Sequence, residues 1–364
     1  MIRVHILSNG FKTPNSRGLE YPIRRNLRRL RARGITATIF HRLDPALGDC
    51  DTVIVDGRFF RDFWNTTPDR VYETIAGLRR GGTRVLYFDT SDSAGWLKIE
   101  IVPHVDRYYK NQILADTSRF LTPLYGGRLY ADYYHRTANL QDSTPLLQPG
   151  IADAALLDKL RVSWNSGLAD YSFAGLYLAE LHRHLGWNLF LRAPGGFSAP
   201  DKPRSNDISC RMTTRYARET VSWQRLRIQE LLSKHLPTDR LSRRQYFREL
   251  ANSQIVVSPF GFGEINYKDF ETFISGAVLL KPDMSHMRTW PDFYHANETI
   301  VSHSWDLKDF EHVIETLLGD RDRMAEIAGN GQRTYHRYTT TAEGQEMFCS
   351  RFAAIAADTV PPNG

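Results

Sequence analysis

Residues 253–282 read SQIVVSPFGFGEINYKDFETFISGAVLLKP. Ser253 to Pro259 is a short apolar, β-branched run of the kind that forms a buried strand. Phe260-Gly261-Phe262-Gly263-Glu264 follows as a glycine-rich loop. Asp269 to Ser275 has helical spacing and stops at Gly276, and Ala277 to Leu280 is a second buried strand. Strand, loop, helix and strand make a βαβ unit, which packs as a right-handed crossover in a parallel sheet. Ligands of such sheets bind beyond the carboxyl ends of the strands, where 260–264 falls. Gly261 and Gly263 permit close approach of the backbone to a ligand. The helix that follows offers free N–H groups and a positive dipole end to a phosphate. Glu271, inside that helix, is placed to accept hydrogen bonds from two adjacent ribose hydroxyls. The same segment also suits plain βαβ packing with a surface glutamate.

Outward from this unit, the N-terminal half alternates strands and helices. Arg3–Leu7, Ile35–Phe40, Thr52–Val55 and Arg84–Phe88 read as strands, and Tyr21–Arg33 and Asp69–Arg80 as helices. The pattern predicts a parallel sheet with helices on both faces. The expected division is a Rossmann-like domain over 1–140, a linker over 141–150, a second such domain over 151–340, and a last helix with tail over 341–364. In the second domain, Asp207–Cys210 is a strand, and Thr214–Lys234 and Arg244–Asn252 are helices. A Pro14–Gly18 loop precedes the first helix.

The 364 residues are 41% hydrophobic and 24% charged, which suits folded domains and leaves little room for long disorder. The formal charge of +6 is compatible with phosphate-bearing ligands, acidic lipids or simple solubility. Three separated cysteines give neither a disulfide framework nor a zinc spacing. No apolar run approaches the roughly 18–20 residues of a membrane span, and residues 1–7 lack the pattern of a signal peptide. The expectation is a cytoplasmic protein, with peripheral membrane contact at the inner face. The first turn carries no G-x-G-x-x-G, so no nicotinamide or flavin cofactor is expected. No helix-turn-helix, finger or RNA-recognition signature is present, so nucleic acid is not an expected partner.

The segment 258–282 resembles the donor-site signature of GT-B glycosyltransferases. It is similar to the group 1 family and to exostosin-like and CgeB-like C-terminal donor domains. Those carry a glycine-rich loop, a glutamate followed five residues later by a glycine, and an apolar strand; here these are Glu271, Gly276 and Ala277–Leu280. The resemblance implies two Rossmann-like domains facing a cleft, with a final helix, Gly344–Ala357, crossing back onto the first. It implies transfer of a sugar from a nucleotide-sugar donor to a hydroxyl of a glycan or lipid-linked acceptor, in bacterial-type surface polysaccharide or glycoconjugate assembly. A CMP-sugar transferase of the same fold and a non-catalytic binding protein are the alternatives. By the resemblance Glu271 holds the ribose, Gly261, Gly263 and Glu264 lie near the sugar or diphosphate, and Tyr267 and Lys268 flank the phosphates. In the group 1 family the two glutamates enclose seven residues, whereas Glu264 and Glu271 enclose six, so the stereochemical outcome stays open.

Transfer to a hydroxyl needs a base if it inverts and a nucleophile or charge stabiliser if it retains. Asp56, Asp89 and Asp92 fall at carboxyl ends of strands, and Asp89 and Asp92 are the catalytic candidates. Capping and turn chemistry explain the same aspartates equally well. Asp49-Cys50-Asp51 is a formal D-x-D, but it precedes a strand and reads as a turn, so no metal site is expected. Ser8, Asn9, Gly10 and Arg17 form the acceptor-side candidates. Arg211 and Arg215 are candidates for the diphosphate, because a guanidinium binds phosphate bidentately. The arginines at 24, 25, 28, 29, 31 and 33 of the first helix are candidates for an anionic membrane surface.

Overall fold

The computed structural model describes residues 1–232 and 239–359. Five strands, β1 (Ile2–Leu7), β2 (Ile35–Phe40), β3 (Thr52–Asp56), β4 (Arg84–Asp89) and β5 (Arg107–Lys110), build most of the first sheet. β6 (Gln112–Leu114) leaves it, β7 (Leu124–Tyr125) pairs with β8 (Leu147–Gln148), and β9 (Leu160–Val162) returns to it. The order is β2-β1-β3-β4-β5-β9, with every pairing parallel. Helices α1 (Pro14–Ala32), α2 (Arg61–Thr66) and α3 (Pro68–Arg80) make crossovers, and α4 (Leu129–Thr137) lies beyond. The strands are near-continuous in Val, Ile and Leu because helices cover both faces, and Val4, Ile6, Val53, Val55 and Val85 are all buried.

After α5 (Gly175–Leu185), a second parallel sheet begins with β10 (Asn206–Ser209). Helices α6 (Glu219–Leu232) and α7 (Arg243–Asn252) lead to β11 (Ser253–Val257), α8 (Tyr267–Ser275) and β12 (Val278–Pro282). β13 (Met287–Thr289) crosses to pair antiparallel with β6 of the first domain, and β14 (Val301–His303) ends the order β10-β11-β12-β14. The expected βαβ unit is present, with Gly276 ending α8 at φ 66°, a left-handed position that favours glycine. Helices α9 (Phe310–Gly319) and α10 (Arg321–Thr340) cover this sheet.

The last helix, α11 (Ala342–Ala357), crosses back as expected. Its Phe348, Phe352 and Ile355 share a core with Val4, Ile6 and Ile23 of the first domain. Thr52 Oγ1 donates to the Ala356 carbonyl at 3.2 Å, and buried Arg351 donates to the Ser163 carbonyl at 2.6 Å. Glu346 accepts from Arg29 at 2.7 Å and also pairs with Arg33. Part of the first helix's arginine cluster is thereby committed to protein: Arg25 donates to the Thr339 carbonyl, and Arg24 pairs with buried Glu20 at 2.6 Å.

Four expectations need correction. The first domain does not end at 140, because β9 at 160–162 completes its sheet and α11 completes its core. Segment 141–150 is packed rather than a free linker: buried Asp142 accepts from Thr220 N at 2.9 Å, and buried Gln148 from Leu97 N at 2.9 Å. Pro14–Gly18 is the first turn of α1, not a loop, since the Thr13 side chain accepts from Ser16 N and Pro14 fills a position that needs no N–H. The helix expected over 214–234 begins at Glu219, which leaves Arg211 and Arg215 on an extended segment; Lys234 and residues 360–364 of the tail lie outside the described residues.

Candidate functional site

The carboxyl edges of the two sheets face each other across a cleft of about 210 Å³. Asn15, Thr90, Asp92, Gln112 and Trp164 line it from the first domain, and Phe262, Gly263, Asn266 and Tyr267 from the second. The N-terminal turn of α8 therefore opens into the cleft.

The glycine-rich loop is clamped by the first domain. A Cβ on Gly263 would press into the Asp92 carbonyl, 2.6 Å from its carbon, so this glycine serves the approach of the two domains. Tyr130 Oη donates to the Gly261 carbonyl at 2.6 Å, and Arg128 Nε to the Phe262 carbonyl at 2.7 Å. Glu264 is fully buried and accepts from Ser93 Oγ at 3.0 Å and Ala94 N at 2.9 Å. Burial opposes its charge, but His286, whose Nε2 lies 3.7 Å away, and the hydrogen bond from Ala94 N outweigh this and hold the carboxyl below its ordinary range. Glu264 joins the domains and is closed off from a donor sugar, which corrects the donor-binding expectation for it.

The remaining donor-side residues form a second cluster. Lys268 donates to the Arg211 and Val257 carbonyls, and burial lowers its pKa to about 8. Arg211 is already paired with Glu249, its Nε at 2.9 Å and Nη2 at 2.7 Å from the carboxylate, so its fork is occupied in this arrangement. Arg215 is exposed. Glu271 accepts from Tyr246 Oη at 2.9 Å, and burial raises its pKa. Tyr267, 36% exposed at the cleft, packs against Tyr171 with the ring centroids 4.9 Å apart and the rings tilted by 32°, and the charge of Arg17 on α1 acts on both rings. Arg225, one of the arginines that crowd residues 211–227 of the sequence, is buried and donates to the Phe260, Thr213 and Pro259 carbonyls. It pins the glycine-rich loop to the strand-end segment that carries Arg215.

On the first-domain edge the aspartates separate by environment. Asp56 is fully buried and accepts from Arg58 N at 3.0 Å and Thr90 Oγ1 at 3.2 Å, and burial raises its pKa. Ser8 and Asn9 reach this same carboxylate at 3.4 Å, and Gly10, at φ 67°, packs against His41. The Ser8–Gly10 loop therefore supports Asp56 and does not line the cleft, which corrects its acceptor-side placement. Asp89 is buried and accepts from Tyr108 Oη at 2.6 Å and Lys110 Nζ at 3.1 Å. Burial opposes its charge, yet Lys110 and Tyr108 hold its carboxyl below the ordinary range. Asp92 is different: its side chain is 46% exposed in the cleft, accepts from Asn15 Nδ2 at 2.7 Å, and has Arg58 Nη2 at 3.5 Å. Asn15, Arg58, Gln112 and Trp164 are site residues that the sequence does not reveal. Only Asn15 had a readable signal, the Thr13-Pro14 helix start that puts it on the first turn of α1. Asp51 of the D-x-D accepts from Arg3 N at 2.7 Å, at the opposite edge of the sheet. Among the described residues, no three His, Cys, Asp or Glu side chains converge as a metal site.

No family model matches the chain, and no curated protein matches it. Among solved structures the chain is similar to Anabaena Alr3699/HepE in complex with UDP-glucose, at 8% identity over 97% of this chain and 100% of that one, with a TM-score of 0.46. It is also similar to a glycosyltransferase from Rickettsia africae ESF-5, at 9% identity over 98% of this chain and 97% of that one, TM-score 0.45. Sucrose-phosphate synthase from Thermosynechococcus elongatus stands at 10% identity over 98% and 99% of the two chains, TM-score 0.45.

Proposed function

We propose that this chain is a GT-B glycosyltransferase that moves a sugar from a nucleotide-sugar donor to a hydroxyl of a glycan or lipid-linked acceptor, in surface-polysaccharide or glycoconjugate assembly. The observation that carries the reading is the cleft between the carboxyl edges of two parallel sheets, with the N-terminal turn of α8 opening into it. That is where an α/β protein binds a phosphorylated ligand.

In this reading Glu271 accepts from the ribose hydroxyls, and Tyr246 holds its carboxylate in place. Lys268 turns from its two carbonyl partners toward the diphosphate, whose charge raises its pKa from about 8 and keeps it protonated. Arg215, exposed on the neighbouring strand end, adds a second cation and offsets the charge that develops on the leaving phosphate. Asp92 accepts the proton of the acceptor hydroxyl, since it is the acid that reaches the cleft. Asp89, tied to Lys110 and Tyr108, fixes the strand end that carries Asp92. Because the glycine-rich loop is clamped across the domains, donor entry requires the cleft to open first.

The test is a thermal-shift panel of UDP, GDP, ADP, TDP and CMP on the wild type and Glu271→Ala. A nucleotide at 100 times its dissociation constant adds about 2.7 kcal/mol of stability. One nucleotide should raise Tm in the wild type and not in Glu271→Ala, and a response to CMP alone would select the CMP-sugar form. A wild type that responds to none of the five, with or without a glycan acceptor present, would overturn the reading.

A further inference from the structure

The described residues include thirteen exposed large apolar side chains, and seven of them lie in the single stretch 173–189. Tyr177, Leu181 and Leu185 recur every fourth residue along α5, so they form one stripe on one face of the helix. Trp187 and Leu189, 56% and 59% exposed, extend the stripe past the helix end, and Phe173 extends it before the start. The opposite face of α5 is the one that packs, through Gly175, Ala179 and His182. No helix among the described residues is long and apolar enough to cross a membrane. An exposed stripe of this kind needs a cover.

The charges around the stripe identify the cover. Arg243 lies 5.8 Å from the Phe173 ring and 5.7 Å from the Tyr177 ring, which places α7 beside the stripe. Arg244 and Arg248 of α7 are exposed, and the only acid of that helix, Glu249, is turned to Arg211. Within 173–192 the only acid is Glu180, which is paired with Arg183 and His184. Arg192 is exposed at the far end. A second copy of this face would bring like charges together, whereas a leaflet of anionic lipid meets both the apolar stripe and its cationic border. Leucine, tyrosine and tryptophan on one side with arginine at the margin is the composition of a helix lying in a membrane interface.

We propose that α5 with residues 187–189 is a membrane-docking surface for anionic phospholipid, bordered by the arginines of α7. It stands where the arginine cluster of the first helix was expected to serve. Tyr171, two residues before the stripe, packs against Tyr267 of the cleft with ring centroids 4.9 Å apart, so docking holds the cleft mouth close to the lipid surface. The docking itself does not depend on the glycosyltransferase reading; that reading only adds that a lipid-linked acceptor would be presented beside the cleft.

The experiment is vesicle flotation of the full chain with phosphatidylcholine alone and with phosphatidylcholine containing phosphatidylglycerol, at low and high salt. The wild type should float with the anionic vesicles and release at high salt. Leu181→Glu/Leu185→Glu, and separately Trp187→Ala/Leu189→Ala, should stay at the bottom. Arg244→Ala/Arg248→Ala should bind about 30-fold more weakly, from roughly 5-fold per arginine. No flotation of the wild type, or equal flotation of all variants, would overturn the proposal. So would a concentration-dependent dimer that Leu181→Glu/Leu185→Glu dissociates, since the stripe would then be covered by a second copy. The nucleotide thermal shift separates the two readings. Flotation without any nucleotide response removes only the glycosyltransferase reading, and a nucleotide response without flotation removes only the docking.

Discussion

Gly263 and Gly261 sit two residues apart in one loop, and substitution by alanine should affect them very differently. A Cβ at Gly263 would lie 2.6 Å from the Asp92 carbonyl carbon, which is backbone of the other domain. Carbon–carbon contacts are comfortable at about 3.5–4.0 Å, so the two loops must part by roughly 1 Å. Glu264 follows directly, with contacts to Ser93 and Ala94 of 3.0 and 2.9 Å. A displacement of that size stretches both beyond hydrogen-bonding range. Hydrogen bonds to a charged group are worth about 1.5–3 kcal/mol each, and part of that returns when water enters the parted interface. The expected loss for Gly263→Ala is therefore about 2–4 kcal/mol, or an apparent Tm lower by roughly 3–5 °C at about 2.1 cal/mol/K of unfolding entropy per residue. At Gly261 the nearest atom to an added Cβ is an Arg225 side-chain nitrogen at 3.0 Å, with Asn266 Oδ1 at 3.4 Å. These are side-chain ends that can yield a few tenths of an ångström, and the loss should stay within about 1 kcal/mol. Thermal unfolding of both variants decides the matter. If Gly263→Ala melts within about 2 °C of wild type, or no lower than Gly261→Ala, the domain contact does not have the role assigned to Gly263 and Glu264.

Lys110→Met should leave the Asp89 carboxylate buried without its cation, at a loss of about 3–5 kcal/mol, while Asp89→Leu/Lys110→Met should recover much of it; denaturant unfolding of the pair reads this, and an equal loss in both variants would refute it. His303 is fully buried, and burial lowers its pKa from 6.5 to about 4. The fold favours the neutral ring, so this contribution is complete above pH 6.5 and fades as pH falls toward 4, by roughly 1.4 kcal/mol per pH unit. Tm measured from pH 7 to 5 should fall less steeply in His303→Phe than in wild type, and parallel curves would rule the assignment out.

The parts of the fold legible in the sequence are those fixed by local pattern. The βαβ unit around 253–282 has continuous apolar strands and a glycine stop, and the helix C-terminus falls at Gly276 as expected. The start of α1 was legible too, in Thr13-Pro14, but the helical apolar spacing begins later and hides it. β9 was not legible: three residues at a sheet edge carry too little periodicity, and the strand belongs to the first sheet only through its pairing with β5. The site was read least well where partners are remote in sequence. Glu264 looks like a loop carboxylate until Ser93, 171 residues earlier, is seen to hold it. Asp89 and Asp92 are three residues apart and chemically alike, yet Lys110 and Tyr108 bury one and the cleft exposes the other. The α5 stripe has ordinary core spacing, and only the packed structure shows that nothing among the described residues covers it.

The return of α11 makes the first domain discontinuous along the chain. Val4, Ile6 and Ile23 are made at the outset, but Phe348, Phe352 and Ile355, which share their core, are made last. During synthesis at about 5–20 residues per second, the part of the first sheet's face that α11 covers, beside α1, is left bare for tens of seconds while the whole second domain emerges. The second domain has no such wait, since its sheet and the helices over it are complete by Thr340. The order of maturation is thus the reverse of the order of translation. A chain cut short before α11 releases a finished second domain attached to an unfinished first one, with apolar surface for a chaperone to hold.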